Sequence, residues 1–149
     1  MGADLYLESL FNPNQKKWQQ PFEDAVVARN ALTEGTPEYA LAQEEVSQCF
    51  EKMYGVGYFR DPYNSSTLLA LFGLSWWQDI SPLCDDRGYL GADDAHIFLE
   101  MLTERALTFH DALVKRPAHE VDYFESEYEE LRRFLSQAIE LREAILCSL

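Results

Sequence analysis

Apolar residues recur at intervals of three and four along most of the chain, the repeat that gathers them on one face of an α-helix. The stretch "EGTPEYALAQEEVSQCFEKMYG" shows it best. Tyr39, Ala42, Val46, Cys49, Phe50 and Met53 form one stripe, Thr36 is placed to cap it, Pro37 takes the first turn beside Glu38, and Gly55 closes the far end. Upstream, Trp18, Phe22, Ala25, Arg29 and Leu32 keep the same spacing. Asn12 reads as their N-cap and Pro13 as the first helical position, while Pro21 is expected to kink or restart the helix. The short "TEGT" connection predicts that these two helices form an antiparallel pair.

Downstream, "STLLALFGLSWWQDI" predicts a short buried helix capped by Asn64 or Ser65, weakened at Gly73 and ended by Pro82. "SPLCDDRGYLG" reads as a loop. Residues 92–114 predict one helix with Ala95, Phe98, Leu102, Ala106, Phe109 and Leu113 on its inner face. Past Pro117 a last helix carries Val121, Phe124, Tyr128, Leu131, Leu135, Ala138, Ile145 and Leu149, a near-heptad seam broken only by Arg142. At the other end, "DLYLESL" alternates like a strand at Leu5 and Leu7, but a lone strand has no identifiable partner, so it reads as an extended arm. The expected fold is all-α: a bundle of about four long helices plus one short buried helix, with an extended N-terminal arm. No repeat or Gly/Ser linker interrupts the chain, which reads as a single helical domain over residues 1–149.

Composition narrows the function classes. A chain of 149 residues, 47% apolar and 13% aromatic, can fill the core of one ordinary domain. Its net charge of -14, from 26 acidic and 12 basic residues, opposes phosphate, so no direct nucleic-acid binding is expected. Nothing resembles a membrane span, a signal peptide or a lipidation motif, and the expected location is cytoplasmic, with no membrane partner. Cys49, Cys84 and Cys147 are too irregularly spaced for a disulfide framework and read as reduced thiols.

Motifs for chemistry are scarce. His96, His110 and His119 have neither the HExxH spacing nor cysteine partners, so no metal site is expected. Aligning Gly88 with the obligatory glycine of an EF-hand puts Leu83 at position one and Arg87 at position five, where oxygen ligands belong. That segment reads instead as a capped loop. Cys84 stands beside Asp85 and Asp86, which disfavour a thiolate, and neither a nucleophile elbow nor a phosphate or dinucleotide loop is present. No catalytic residue and no cofactor are predicted.

One bend, "GYFRDPYNSS", crowds polar and aromatic groups together, and "SWWQDI" follows it closely. Pro62 enforces an extended predecessor and Asn64 is suited to cap a helix, which accounts for part of the composition. The remainder, Tyr58, Arg60, Asp61, Tyr63, Asn64, Trp76 and Trp77, supplies the residue types that dominate binding surfaces. Consecutive tryptophans on a helix point about 100° apart, so a small protein has difficulty burying both. Acidic residues at Asp93, Asp94, Asp122, Glu125 and Glu129 form the candidate acidic face, and Glu129 with Arg133 has the spacing of a helical ion pair.

The leading expectation is a non-enzymatic protein-interaction module whose acidic face attracts a partner with a basic surface. An inhibitor or immunity or anti-defence protein acting on a nucleic-acid-handling partner has that character. Two alternatives stand beside it: a small-ligand binder or enzyme with an inter-helix pocket around Arg60, and a homodimer whose interface consumes the exposed aromatics.

Overall fold

The structure is a computed structural model that describes residues 2–64 and 66–149. Ser65, one of the two expected caps, lies outside the described residues. The chain divides into two compact units: the described residues up to Leu7 together with Phe59–Leu149, and Glu8–Tyr58.

The second unit is a helical hairpin. Helix α1 spans Glu8–Asn30 and α2 spans Pro37–Met53. Ala25 packs on Val46 and Cys49 with Phe22 and Val26 against them, Arg29 Nη1 donates to Gln43 Oε1 at 2.8 Å, and Asn14 Nδ2 donates to the Lys52 carbonyl at 2.7 Å. Contacts therefore run backward along α2 as they run forward along α1, the antiparallel arrangement expected. Thr36 caps α2 by accepting from the Tyr39 N–H. The start of α1 differs from expectation: the helix begins at Glu8, and both Pro13 and Pro21 lie inside it.

The first unit is helical around a small antiparallel sheet, so the fold is mostly helical but not all-α. Strands β1 (Gly2–Tyr6), β2 (Tyr58–Pro62), β3 (Tyr89–Leu90) and β4 (Ile145–Ser148) stand in the order β2-β1-β4-β3. The expected extended arm is β1, buried on alternate residues at Ala3 and Leu5. Its partner is β4, with Leu5 opposite Cys147, while Leu90 of β3 faces Ile145. Sequence reading carried the last helix through to Leu149, but that helix, α6, spans only Ala118–Leu141. Arg142 takes φ 51 and ψ 40, and the Glu143 N–H closes back on the Ala138 carbonyl at 3.1 Å. That is a left-handed C-terminal cap formed without the usual glycine.

Two other expected helices are broken. The apolar segment after the bend forms only α3 (Leu68–Leu71), ended by a turn in which Gly73 holds φ 69, followed by a single π-helical turn over Trp76–Ile80. Ser75 starts that turn by accepting from the Gln78 N–H, and Asp79 accepts from the Ser75 N–H at 2.8 Å. The helix expected over 92–114 divides at Arg105 into α4 (Ala92–Glu104) and α5 (Ala106–Leu113). Arg105 Nη1 reaches the Phe72 and Gly73 carbonyls at 3.4 and 3.3 Å. Past the break Phe109 stacks on Phe72 with centroids 4.5 Å apart, and Tyr128 of α6 meets both rings.

Candidate functional site

Strand β2 alternates its side chains between two faces, and that alternation separates the residues of the bend. Phe59 and Asp61 point inward; Arg60 points outward, where Nη1 meets Asp4 Oδ1 of β1 at 3.3 Å. Tyr58 belongs to the hairpin unit and packs among Phe11 and Tyr54. Sequence reading grouped Arg60 and Tyr58 with Trp76 and Trp77; the structure puts Arg60 on the other face of its strand and Tyr58 in a different aromatic cluster.

Asp61 is the centre of what remains. Only 3% exposed, it accepts from the Leu68 N–H at 2.9 Å through Oδ1, and from the Leu69 N–H at 3.3 Å and the Trp76 Nε1–H at 2.7 Å through Oδ2. It thus satisfies two of the first backbone donors of α3 from a neighbouring strand, while Thr67 accepts from Ala70. The cap expected of Asn64 is made by Thr67 and Asp61. All three groups facing the carboxylate are donors, the pattern of an ionised acid. Burial pushes its pKa up, and the three donors pull it down by less.

The tryptophans part as their angular spacing requires. Trp76 is 2% exposed and meets Phe98 edge-on, whereas Trp77 is 60% exposed. Beside Trp77 the Tyr63 hydroxyl is buried without a hydrogen-bond partner among the described residues. The Trp77 side chain approaches closely enough to lower the Tyr63 pKa, but not in hydrogen-bonding geometry; burial and the charges of Asp61 and Asp4 raise it by more.

A cavity of about 410 Å³ opens beside Asp61, lined by Pro62, Asn64, Ser66 and, from α6 (Ala118–Leu141), His119, Glu120, Tyr123 and Phe124. Its volume lies within the range of ordinary ligand pockets. Arg116 stands at its margin, donating from Nη2 to Ser66 Oγ at 2.8 Å and pairing loosely with Glu120 at 3.7 Å. Ser66 therefore accepts from a cation here. Sequence reading missed the α6 residues because positions three and four apart on a helix look the same whether they face solvent or a cavity.

Nearby carboxylates act on Tyr123 of the cavity lining. Burial raises the Tyr123 pKa, with Glu127, Asp61 and Glu130 adding to it. Glu127 is pushed from its ordinary 4.5 to about 7, by burial first and then by Glu130 and Asp61. The folded chain therefore holds a proton on Glu127 between about pH 4.5 and 7 that the unfolded chain has released, and folding stability falls as pH rises through that window. Since Glu127 is only half-buried, solvent screening reduces the effect to about 1 kcal/mol. Glu127→Gln is expected to match the parent protein at pH 4 and to exceed it by about 1 kcal/mol at pH 8 in urea unfolding. A constant difference at both pH values would show that Glu127 does not titrate abnormally.

The candidate acidic residues fall in two places. Asp122, Glu125 and Glu129 are exposed along α6, with Glu129 paired to Arg132 at 3.2 Å rather than to Arg133. Asp93 and Asp94 occupy the first turn of α4, around an open cleft with Ile139 and Arg142. At 1.5 Å per residue, Ile139 lies about 15 Å along α6 from Glu129 and about 25 Å from Asp122.

Cys84 and Asp85 lie in the loop that precedes β3. Asp85 accepts from the Arg87 and Tyr89 N–H groups, each at 2.9 Å, which closes the loop once read against an EF-hand. Cys84 has its pKa raised by burial first, with Asp85 and Asp94 adding to it. No group of residues suited to holding a metal ion occurs among the described residues, and no described helix is long and apolar enough to cross a membrane. Compared with protein-family models, curated proteins and solved structures, the chain matches none.

Proposed function

We propose that this protein is an acidic, non-enzymatic interaction module that binds a protein partner with a basic surface. The observation that carries the reading is Trp77, 60% exposed on a turn whose neighbouring tryptophan is buried. A rigid, exposed indole beside a tyrosine has the character of a binding anchor. Negative charge from Asp122, Glu125 and Glu129 on α6 adds long-range attraction, which acts mainly on association rate. The regulatory or inhibitory role on a nucleic-acid-handling partner belongs to the same proposal, since such partners carry the basic surface it requires.

Trp77→Ala is expected to weaken partner binding by about 2 kcal/mol, roughly 30-fold, while leaving the urea midpoint nearly unchanged. Reversing Asp122, Glu125 and Glu129 to lysine is expected to slow association and flatten its salt dependence. Unchanged binding by the Trp77 variant, measured by titration calorimetry, would remove the anchor.

The cavity beside Asp61 supports a second reading, a binder of small molecules. Its location differs from the one expected, because Arg60 is not among the residues lining it.

A further inference from the structure

We infer that the cavity beside Asp61 receives the guanidinium group of an arginine side chain presented by the basic protein partner. The inference rests on the interaction-module reading and names the chemistry that its surface selects. Two carboxylates, Asp61 and Glu120, line the cavity together with the rings of Tyr123, Phe124 and His119 and the ring of Pro62. That lining combines carboxylate acceptors with aromatic and apolar ring surfaces.

A guanidinium fits both features. It is planar, donates several N–H bonds in a fixed fork, and stacks on aromatic faces while remaining charged. An ammonium can use the acceptors but gains less from the flat walls. Asp61 Oδ1 accepts one bond, from Leu68, and keeps a further acceptor position. Among the described residues the Glu120 carboxylate has the loose 3.7 Å contact with Arg116, whose Nη2 is committed to Ser66. The carboxylates therefore retain capacity for an incoming cation.

Charge also argues against an anion. A phosphate or carboxylate entering here would face Asp61 and Glu120, with Glu127 and Glu130 close enough to Asp61 or Tyr123 to raise the pKa values of their neighbours. An arginine would add positive charge opposite Asp61, beyond that of Arg116, which is held at the margin by Ser66 and Glu120. A partly sheltered position raises the worth of each contact above that of a fully exposed ion pair.

The test is a titration of the ¹⁵N-labelled full chain with N-acetyl-arginine methylamide, followed by amide chemical shifts. The neutral citrulline analogue and the lysine analogue serve as comparisons. Saturable shifts centred on Asp61, Ser66, Glu120 and Tyr123 are expected for arginine, with citrulline silent and lysine weaker. Glu120→Gln, which keeps the side chain's shape, is expected to weaken arginine binding about tenfold. Equal response to citrulline or to lysine, shifts spread without saturation over Asp122, Glu125 and Glu129, or no response would each overturn the inference. This titration uses no partner. If arginine fails while partner binding still depends on Trp77, the pocket is rejected and the interface stands; if arginine binds and Trp77 proves irrelevant, the reverse holds.

Discussion

Asp61→Ala is expected to lower folding stability by about 3–5 kcal/mol, the cost of leaving three buried donors without an acceptor. Desolvation outweighs the three hydrogen bonds in setting the Asp61 pKa, so the ionised carboxylate is not itself a net source of stability. The cost of the mutation arises from what it strands: the Leu68 and Leu69 N–H groups and the Trp76 indole N–H, all buried and left without an acceptor. Asp61→Asn should therefore be milder, about 2 kcal/mol, because one oxygen remains to accept. Urea unfolding followed by near-ultraviolet circular dichroism, which senses Trp76, measures both. A loss below about 1 kcal/mol for the alanine variant would mean that water replaces the carboxylate without cost.

Ending the chain after Glu143 is expected to have a larger effect still. The truncation removes β4, the strand that pairs with both β1 and β3, and with it the buried side chains of Ile145 and Cys147. Without β4, β1 loses its partner on one side and Leu5 loses the residue opposite it. Lost apolar burial and ladder hydrogen bonds together exceed about 5 kcal/mol, comparable to the whole stability of a small domain. Cooperative unfolding of the sheet-bearing unit should disappear, and amide exchange in β1 should become fast. Retained protection of the Asp4 and Tyr6 amides, whose register pairs them with Ser148 and Leu146, would contradict a sheet organised around β4.

Helix α2 was legible in the sequence because its signals are local. Thr36, Pro37 and an apolar stripe act within a few turns of one another, and neighbouring helices need not be known to read them. The sheet was not, because strand pairing joins residues from opposite ends of the chain. Leu5 and Leu7 showed the right alternation, but their partner was disguised: Ile145 and Leu149 continue the spacing of α6, and the helix stops at an arginine in the left-handed conformation instead of at glycine. Arg142, the one residue that interrupted the stripe, marked the boundary. The break at Arg105 was hidden for a related reason, since its side chain satisfies carbonyls at the end of α3, a partner that a single segment cannot reveal.

The candidate site divides along the same line. Separation of Trp76 from Trp77 followed from helix geometry alone, and the structure buries one and exposes the other. Arg60 stays out of the cavity beside Asp61 because alternation along β2 sends neighbouring residues to opposite faces, and no helix-based reading includes that constraint. The α6 side of the cavity, Glu120 and Tyr123 above all, becomes visible only when the fold brings that helix against the bend at Asp61.

The most direct test of the interface is native co-purification of the tagged full chain from its own cells, beside a Trp77→Ala variant shown to be folded by its urea midpoint. The account predicts a protein recovered in stoichiometric amount with the parent chain, basic at its contact surface, and lost with the variant. A partner retained equally by the variant, or no stoichiometric partner at all, would contradict the claim that Trp77 anchors a protein interface.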